Sequence, residues 1–275
     1  MTLAQALAAA AQLGLERLDA QLLLLQVLGR PAGGRAWLLA HDGDTLDERQ
    51  QQQFTVLCGR RAGGEPLAYI AGRKEFFGLD LMVDRRVLVP RPDTETLVQW
   101  ALEVLAAMPS PRVVDLGTGS GAIALAIKSR RPDARVLATD RSSDALQVAS
   151  ANAQALGLEV EFRRAAWLDG IAERFDLIVS NPPYVAAGDP HLGALSHEPT
   201  SALVAGADGL DDLRRIAGQA HAGLRPFGWL LVEHGYDQAA TVRELLTSAG
   251  FSQVASRRDL SGIERCSGGC RLELG

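Results

Sequence analysis

Arg112-Val113-Val114-Asp115-Leu116-Gly117-Thr118-Gly119-Ser120-Gly121-Ala122 is the stretch that decides the fold. A short apolar run ends in an acid and alternating glycines, and Ala122–Ser129 continues with helical composition. Glycines placed after a strand let the backbone turn tightly and approach a ligand with no Cβ in the way. The strand–turn–helix pattern repeats downstream. Arg135–Asp140 reads as a second strand, followed by a helix that starts at Ser142 or Ser143, good N-caps, and ends at Gly157. Glu159–Arg163 is a third strand, and the very apolar Phe175–Ser180 is a fourth, ending in Asn181-Pro182-Pro183-Tyr184. Helices around Leu210–Leu224 and Gln238–Ser248 enclose a strand at Trp229–Glu233. Strand-like pieces near Ser252–Arg257 and Cys270–Leu274 complete a set of seven. Such alternation predicts an α/β fold with a mainly parallel sheet, helices on both faces and ligands at the carboxyl ends of the strands.

Upstream the pattern changes. Residues 1–73 carry helical patterns and few strand signals. Ala6, Leu13, Leu15, Leu18, Leu22, Leu25 and Leu28 recur as a buried helical face should. Gly29, Pro31 and Gly33–Gly34 punctuate, and Thr45-x-x-Glu48 has capping-box spacing for a further helix. The Gln50–Gln53 run lies on that helix and reads as a solvated face. Residues 74–90, KEFFGLDLMVDRRVLVP, are strand-like with a turn signal at Asp84–Arg86, which predicts a β-hairpin. The division expected is a helical unit at 1–73, a hairpin linker at 74–90 and a catalytic α/β domain at 91–275. An edge hairpin belonging to the second domain fits residues 74–90 equally well.

Composition narrows the classes. At roughly 100–200 residues per domain, 275 residues suit two domains. With 47% hydrophobic and 22% charged residues, the chain is ordinary globular material. Against 33 acids stand 28 bases, a net charge of −5, which disfavours nucleic-acid binding by bulk electrostatics. No apolar run is long enough to cross a bilayer, since Gln26 interrupts the densest leucine cluster, Leu22–Leu25. The N-terminus lacks the basic start of a secretory signal. Three cysteines, Cys58, Cys266 and Cys270, suit a reducing cytoplasm, with no role assigned to Cys266 and Cys270. The five histidines show no metal-ligand spacing, and neither a nucleophile elbow nor a phosphate-loop lysine is present.

The chemistry-bearing residues sit at strand ends. Gly117, Thr118, Gly119, Ser120 and Gly121 follow the first strand of the α/β region, and relaxed to G-x-G-x-x-A the loop also fits a dinucleotide fingerprint. Asp140 ends the next strand, where a carboxylate accepts both hydroxyls of a ribose, in a nicotinamide dinucleotide or in S-adenosylmethionine alike. Trp167 and Asp169 lie past the third strand, placed to pack against and hydrogen-bond an adenine. Asn181-Pro182-Pro183-Tyr184 settles the choice between cofactors. Proline has no N–H and stiffens the loop, so the Asn181 side-chain oxygen and the Pro182 carbonyl become two fixed acceptors for the two hydrogens of a planar NH₂ group. Tyr184 can pack on the plane of that group. An amide nitrogen is a poor nucleophile, so the catalysis open to such a site is positioning, and no strong base is needed because the N-methylated cation is very acidic.

These motifs resemble the bacterial release-factor glutamine methyltransferases, and the resemblance runs along nearly the whole chain. It takes in Gly64-Glu65-Pro66-Leu67, Tyr69-Ile70 and Gly72, then Pro90-Arg91-Pro92-Asp93-Thr94-Glu95, the Asp115–Gly121 loop, Asp140 and Asn181–Tyr184. Asp189-Pro190-His191-Leu192 and His197-Glu198-Pro199 extend it. The Asn-Pro-Pro-Tyr tetrapeptide is shared with adenine-N6 methyltransferases, whereas the Arg91–Glu95 stretch and the helical N-terminal unit are more specific. The resemblance implies a Rossmann-like class I methyltransferase domain with a seven-stranded, mainly parallel sheet. It implies S-adenosylmethionine contacts at Gly117–Gly121, Asp140, Trp167 and Asn181. The glutamine site would be Asn181, Pro182, Pro183 and Tyr184, with Asn181, Pro182 and Tyr184 carrying catalysis. The expected substrate is the Gly-Gly-Gln glutamine of class-1 peptide chain release factors, methylated at N5 by a cytoplasmic monomer with no direct nucleic-acid, membrane or metal partner. Adenine methylation of nucleic acid, a non-enzymatic adenosine-binding scaffold and a nicotinamide-dependent dehydrogenase are the competing classes. His197-Glu198 reads as a structural loop feature ahead of a catalytic pair, and Arg91, Asp93 and Glu95 as helix-start charges or a loop closing on the cofactor.

Overall fold

The computed structural model describes residues 1–272. The chain divides into two compact units, Met1–Arg73 and Lys74 onward.

The first unit is built from α1 (Leu3–Gln12), α2 (Arg17–Val27), α3 (Arg35–Ala40), α4 (Glu48–Ala62) and α5 (Leu67–Ala71). Leu3, Ala6, Leu15, Leu23, Leu24, Leu25, Leu38, Phe54, Leu57 and Cys58 form its core. The continuous periodic face expected from Ala6 to Leu28 is broken: Gly14 takes φ +81°, and Leu13 and Leu18 are exposed. The left-handed glycine redirects the chain, so the two stretches carry separate apolar stripes. The capping box of α4 is Asp47–Gln50, not Thr45–Glu48. Asp47 Oδ1 accepts the Gln50 N–H at 2.7 Å, while Gln50 Oε1 accepts the Asp47 N–H at 3.0 Å. Thr45 instead makes an isolated β-bridge to Thr2. Gln51–Gln53 are exposed, as a solvated face requires.

A hairpin follows, β1 (Arg73–Phe76) and β2 (Leu79–Met82), all but its first residue in the second unit. Its turn is Phe77–Gly78, both with positive φ, and not Asp84–Arg86; Val87–Val89 is not a strand. Two left-handed residues give the twist that a two-residue hairpin prefers, and Gly78 was the signal for it. Phe76 and Leu81 are buried in this unit's core. Next come α6 (Glu95–Leu105), β3 (Arg112–Leu116), α7 (Ala122–Arg130), β4 (Arg135–Asp140), α8 (Ser143–Leu156), β5 (Glu161–Arg164) and β6 (Phe175–Ser180). They are followed by α9 (Asp211–Gly223), β7 (Leu224–Glu233), α10 (Ala239–Ser248), β8 (Ser252–Arg258) and β9 (Glu264–Cys270). The third strand thus starts two residues later than expected. The last strand lies earlier than Cys270–Leu274, whose final two residues fall outside the described ones. Cys266 and Cys270 are free and buried on β9.

The seven strands run in the order β5-β4-β3-β6-β7-β9-β8. β3 to β7 are parallel and β9 pairs antiparallel with both neighbours. Along each inner strand, alternate residues face opposite layers. Val113, Leu177, Val179 and Leu231 pack with α6 and α7 through Leu97, Trp100, Ile123 and Ile127. Val114, Ile178, Leu230 and Val232 pack with α9 and α10 through Leu213, Ile216, Val242 and Leu246. Because the chain leaves β5 at one edge to re-enter beside β3 as β6, a crevice opens at the carboxyl ends of β3 and β6.

One buried amide ties the hairpin to that crevice. Asn152 on α8 donates to the carbonyls of Met82 (3.0 Å) and Ser120 (2.9 Å) and accepts the Met82 N–H at 2.7 Å. Asn152→Ala strands these groups away from water. We expect unfolding free energy to fall by about 2–4 kcal/mol, and a loss below about 1 kcal/mol in urea denaturation would show that the clamp contributes little.

Candidate functional site

The glycine loop is held from behind and from the side. Asp115, at the end of the central strand, is 1% exposed. Its Oδ2 accepts the Thr118 hydroxyl at 2.6 Å and the Ala124 N–H at 3.2 Å. Burial lifts its pKa to about 7, and Oδ1 has no partner. Laterally, the Gly117 and Thr118 N–H groups both donate to the Thr139 carbonyl at 2.9 Å. The Gly119 N–H donates to Asp140 Oδ2 at 3.0 Å, and the Gly121 N–H to the Thr118 carbonyl at 2.8 Å. Four of the loop's amides are therefore engaged within the protein. Gly117 has φ +71°, and a Cβ there would lie 3.1 Å from the Trp167 ring, so only glycine lets the indole close on the loop.

Asp140 is half-buried. Its Oδ1 accepts the Ser142 N–H at 2.9 Å, so each oxygen holds one backbone donor and keeps lone-pair capacity for another. Trp167 itself takes φ +57°, and Asp212 lines the same cleft beside it. Asp169 is no part of this arrangement, because its carboxylate pairs with Arg215 and accepts from Gln219 at 2.7 Å. The acid beside the indole is Asp212, on α9, which sequence spacing did not single out.

At the end of β6, Asn181 Nδ2 donates to Thr94 Oγ1 at 3.1 Å, which leaves Oδ1 available as an acceptor. The tetrapeptide is anchored downstream: the Tyr184 carbonyl accepts from Gln238 at 3.0 Å, and Val185 bridges to Val204. The Tyr184 hydroxyl points to Glu233 Oε1 at 3.4 Å, and burial raises its pKa above the ordinary phenol range. Glu233 ends β7 and is 1% exposed. Burial pushes its pKa to about 7, against the opposing influence of Thr94 and Tyr184, and Oε2 has no partner. A carboxylate at a strand tip was the signal that picked out Asp140, and Glu233 carries the same one.

Gly117, Thr118, Gly119, Ser120, Asp140, Trp167, Asn181 and Pro183 line a single cleft of about 350 Å³, together with Thr94 and Asp212. Gly121, Pro182 and Tyr184 are not among the residues that line it. The mouth is bounded by Arg85–Arg91 and by Pro199–Ala202. Glu198 straps these two segments together: its buried carboxylate pairs with Arg91 and accepts the Val89 N–H at 3.0 Å. No group of side chains among the described residues could hold a metal ion, and no described helix is long and apolar enough to cross a membrane.

Two family models match the chain: the PrmC N-terminal domain over residues 2–72 and the Methyltransferase small domain over residues 94–203. Release factor glutamine methyltransferase of Xylella fastidiosa is 52% identical over 268 residues, covering 96% of each chain. The protein of the same name from Bordetella pertussis is 50% identical, over 93% of this chain and 95% of its own. Among solved structures, the Thermus thermophilus 16S rRNA N2 G1207 methyltransferase, in complex with AdoMet and guanosine, superposes with a TM-score of 0.54. It is 19% identical and covers 72% of this chain and 49% of its own, a likeness of fold.

A buried acid that prefers to be neutral makes stability depend on pH. Glu233 keeps its proton in the folded state up to about 7, whereas in the unfolded chain it ionises near 4.5. Its contribution is full below the lower value and is lost as pH rises through the upper one. Glu233→Gln removes that loss. Between pH 4.5 and 8, the variant should gain on the order of 3 kcal/mol relative to wild type. Parallel pH dependences in urea titrations would contradict a buried, proton-retaining Glu233.

Proposed function

The chain belongs to the release factor glutamine methyltransferase family, and from that footing we propose that it methylates N5 of the Gly-Gly-Gln glutamine in class-1 peptide chain release factors, with S-adenosylmethionine as donor. The observation that carries the reading is the free Asn181 carboxamide oxygen on the cleft that Asp140 and Trp167 also line. S-adenosylmethionine, when bound, supplies an electrophilic methyl group on a sulfonium. The residues present fit it. Asp140 has lone pairs left for ribose hydroxyls, the Trp167 face offers an adenine platform, and Asp212 is a nearby acceptor. The engaged amides of the glycine loop leave little cradle for a pyrophosphate, which counts against a dinucleotide.

The chain's own residues act on the substrate amide. Asn181 Oδ1 and the Pro182 carbonyl accept its two N–H hydrogens, and the Tyr184 ring covers its plane. With both hydrogens fixed, the nitrogen lone pair is aimed at the methyl carbon. Orientation of this kind recovers several kcal/mol of a barrier, and the proton then leaves an acidic N-methylated amide without a strong base. Pro183 stiffens the loop. We assign recognition of the whole release factor to residues 1–73, which hold no cofactor motif, with residues 74–90 as a hairpin and residues 91–275 as the catalytic part. We expect a cytoplasmic monomer acting on protein without direct contact to nucleic acid.

Asp140→Ala should weaken S-adenosylmethionine binding at least tenfold, since hydrogen bonds to a charged group contribute on the order of 1.5–3 kcal/mol. Unchanged affinity in calorimetry would make Asp140 a loop brace alone. The function is tested by supplying radiolabelled S-adenosylmethionine with intact release factor, with a Gly-Gly-Gln peptide and with duplex DNA. Label should enter the intact release factor strongly, the peptide poorly and DNA not at all. Labelled DNA would favour adenine methylation, the other chemistry this tetrapeptide serves. Deleting residues 1–73 should leave cofactor affinity nearly intact while sharply lowering kcat/KM for intact release factor, and full activity of a soluble truncation would sink the recognition role.

A further inference from the structure

Trp167 stands in a conformation that its own residue type disfavours. The Asp169 N–H donates to the Ala166 carbonyl at 3.1 Å, so Ala166–Asp169 is a tight turn with Trp167 and Leu168 at its centre. Of these two, only Trp167 has positive φ, +57°. A turn that needs positive φ at its first central position ordinarily has glycine there, and a bulky side chain persists only where its surroundings fix it. Here the surroundings are one face of α9. Arg215, Gln219 and Gly223 are spaced four apart and share a stripe of that helix. Gln219 spans the turn: its Oε1 accepts the Leu168 N–H at 3.1 Å, and its Nε2 donates to Asp169 Oδ1 at 2.7 Å. Arg215 pairs with the other Asp169 oxygen. A Cβ on Gly223 would come within 2.9 Å of Leu168 Cδ1, so glycine admits the buried Leu168 side chain against the helix. From the sheet side, the Thr139 hydroxyl donates to the Trp167 carbonyl at 3.4 Å.

We infer that Gln219 is a positioning residue for the cofactor: by holding Leu168 and Asp169 it keeps the turn in the backbone conformation that lays the Trp167 indole over Gly117, where an adenine ring can stack. The inference rests on the reading of the cleft as an S-adenosylmethionine site with Trp167 as its adenine platform. Trp167 lines that cleft, whereas Gln219 and Asp169 do not, so these two act on the ring through the backbone. The indole does not hold itself in place. Its neighbour on the loop, Gly117, has no side chain to grip it, and relaxation of Trp167 to negative φ redirects the Cα–Cβ bond and carries the ring off the loop. A platform in place before the cofactor arrives spares binding the cost of ordering it, and apparent affinity falls in proportion as the competent turn is depopulated. Asp169, which sequence spacing offered as an adenine contact, thus serves the adenine pocket from outside it.

The chain has four tryptophans, Trp37, Trp100, Trp167 and Trp229. Fluorotryptophan labelling of the full-length protein therefore gives four ¹⁹F resonances. Trp167→Gly identifies one of them while leaving in the turn a residue that suits its backbone. Gln219→Met keeps the length and helix propensity of the side chain and removes both hydrogen bonds. Without cofactor, this variant should shift or broaden the Trp167 resonance and leave the other three in place, and saturating S-adenosylmethionine should return it to the position of the liganded wild type. Gln219→Glu, which keeps an acceptor for Leu168 but sets a carboxylate against Asp169, should move the same resonance. A Trp167 resonance unmoved in both variants overturns the proposal. By calorimetry, Gln219→Met should weaken S-adenosylmethionine binding about tenfold in the wild-type background. In Trp167→Gly, whose platform is already gone, the further loss should stay within about twofold. Equal losses in the two backgrounds would make Gln219 a general support of the fold and overturn the proposal. If Trp167→Gly binds S-adenosylmethionine as tightly as wild type, the adenine-platform reading fails, while a Trp167 resonance that still moves in Gln219→Met leaves the positioning of the ring by Gln219 standing.

Discussion

Asp115 is the point on which the glycine-loop side of the cleft hangs. Its carboxylate sits at the end of the central strand, out of reach of water, and grips Thr118 and the first turn of α7. The grip bends the chain back at Gly117 and delivers the loop's amides to Thr139 and Asp140. A buried carboxylate is costly unless it is hydrogen-bonded, and here one oxygen is satisfied and the other is not. The fold accommodates the imbalance by favouring the protonated form, which is why the group titrates near neutrality.

Glu233 repeats the device two strands away. Each acid ends a buried strand, stands behind a threonine that lines the cleft, has one oxygen without a partner and is held neutral up to about 7. Asp115 and Thr118 shape the loop beneath one half of the cleft, and Glu233 and Thr94 brace the tetrapeptide at the other. The parallel sheet explains the symmetry. Strand tips at the switch point are the only places where a backbone with saturated hydrogen bonds comes to an end beside open space.

Around this frame the remaining polar contacts are local locks. Asn152 joins the hairpin to the glycine loop, and Glu198 joins the Arg91 segment to the Pro199 segment. The helical unit is a different kind of object. Its core is mostly leucine and alanine, with Phe54, Cys58 and Ile70, and polar groups such as Asp47–Gln50 and Arg61–Asp19 serve as a cap and an ion pair. Nothing among its buried residues resembles the buried acids.

The sequence by itself determined the elements whose signals are local. β3, β4 and β6 stand where their apolar runs lie, Ser142 caps α8, and Gly157 closes it in the left-handed conformation. That Gly117–Ser120, Asp140, Trp167 and Asn181 come together on one cleft was legible because strand ends of a parallel sheet share one side. What the tertiary structure alone decided are pairings between residues far apart in the chain. Thr94 meets Asn181 across 87 positions, and Asp212 replaces Asp169 beside Trp167 because Arg215 and Gln219 draw Asp169 away. The hairpin turn moved to Phe77–Gly78 because two left-handed residues close a turn more tightly than a charged run can. A side chain's environment is set by which strands the topology places side by side, and no window along the sequence contains that information. Glu233 looks like any acid at the end of a strand until burial beside β9 makes it a proton-holding group.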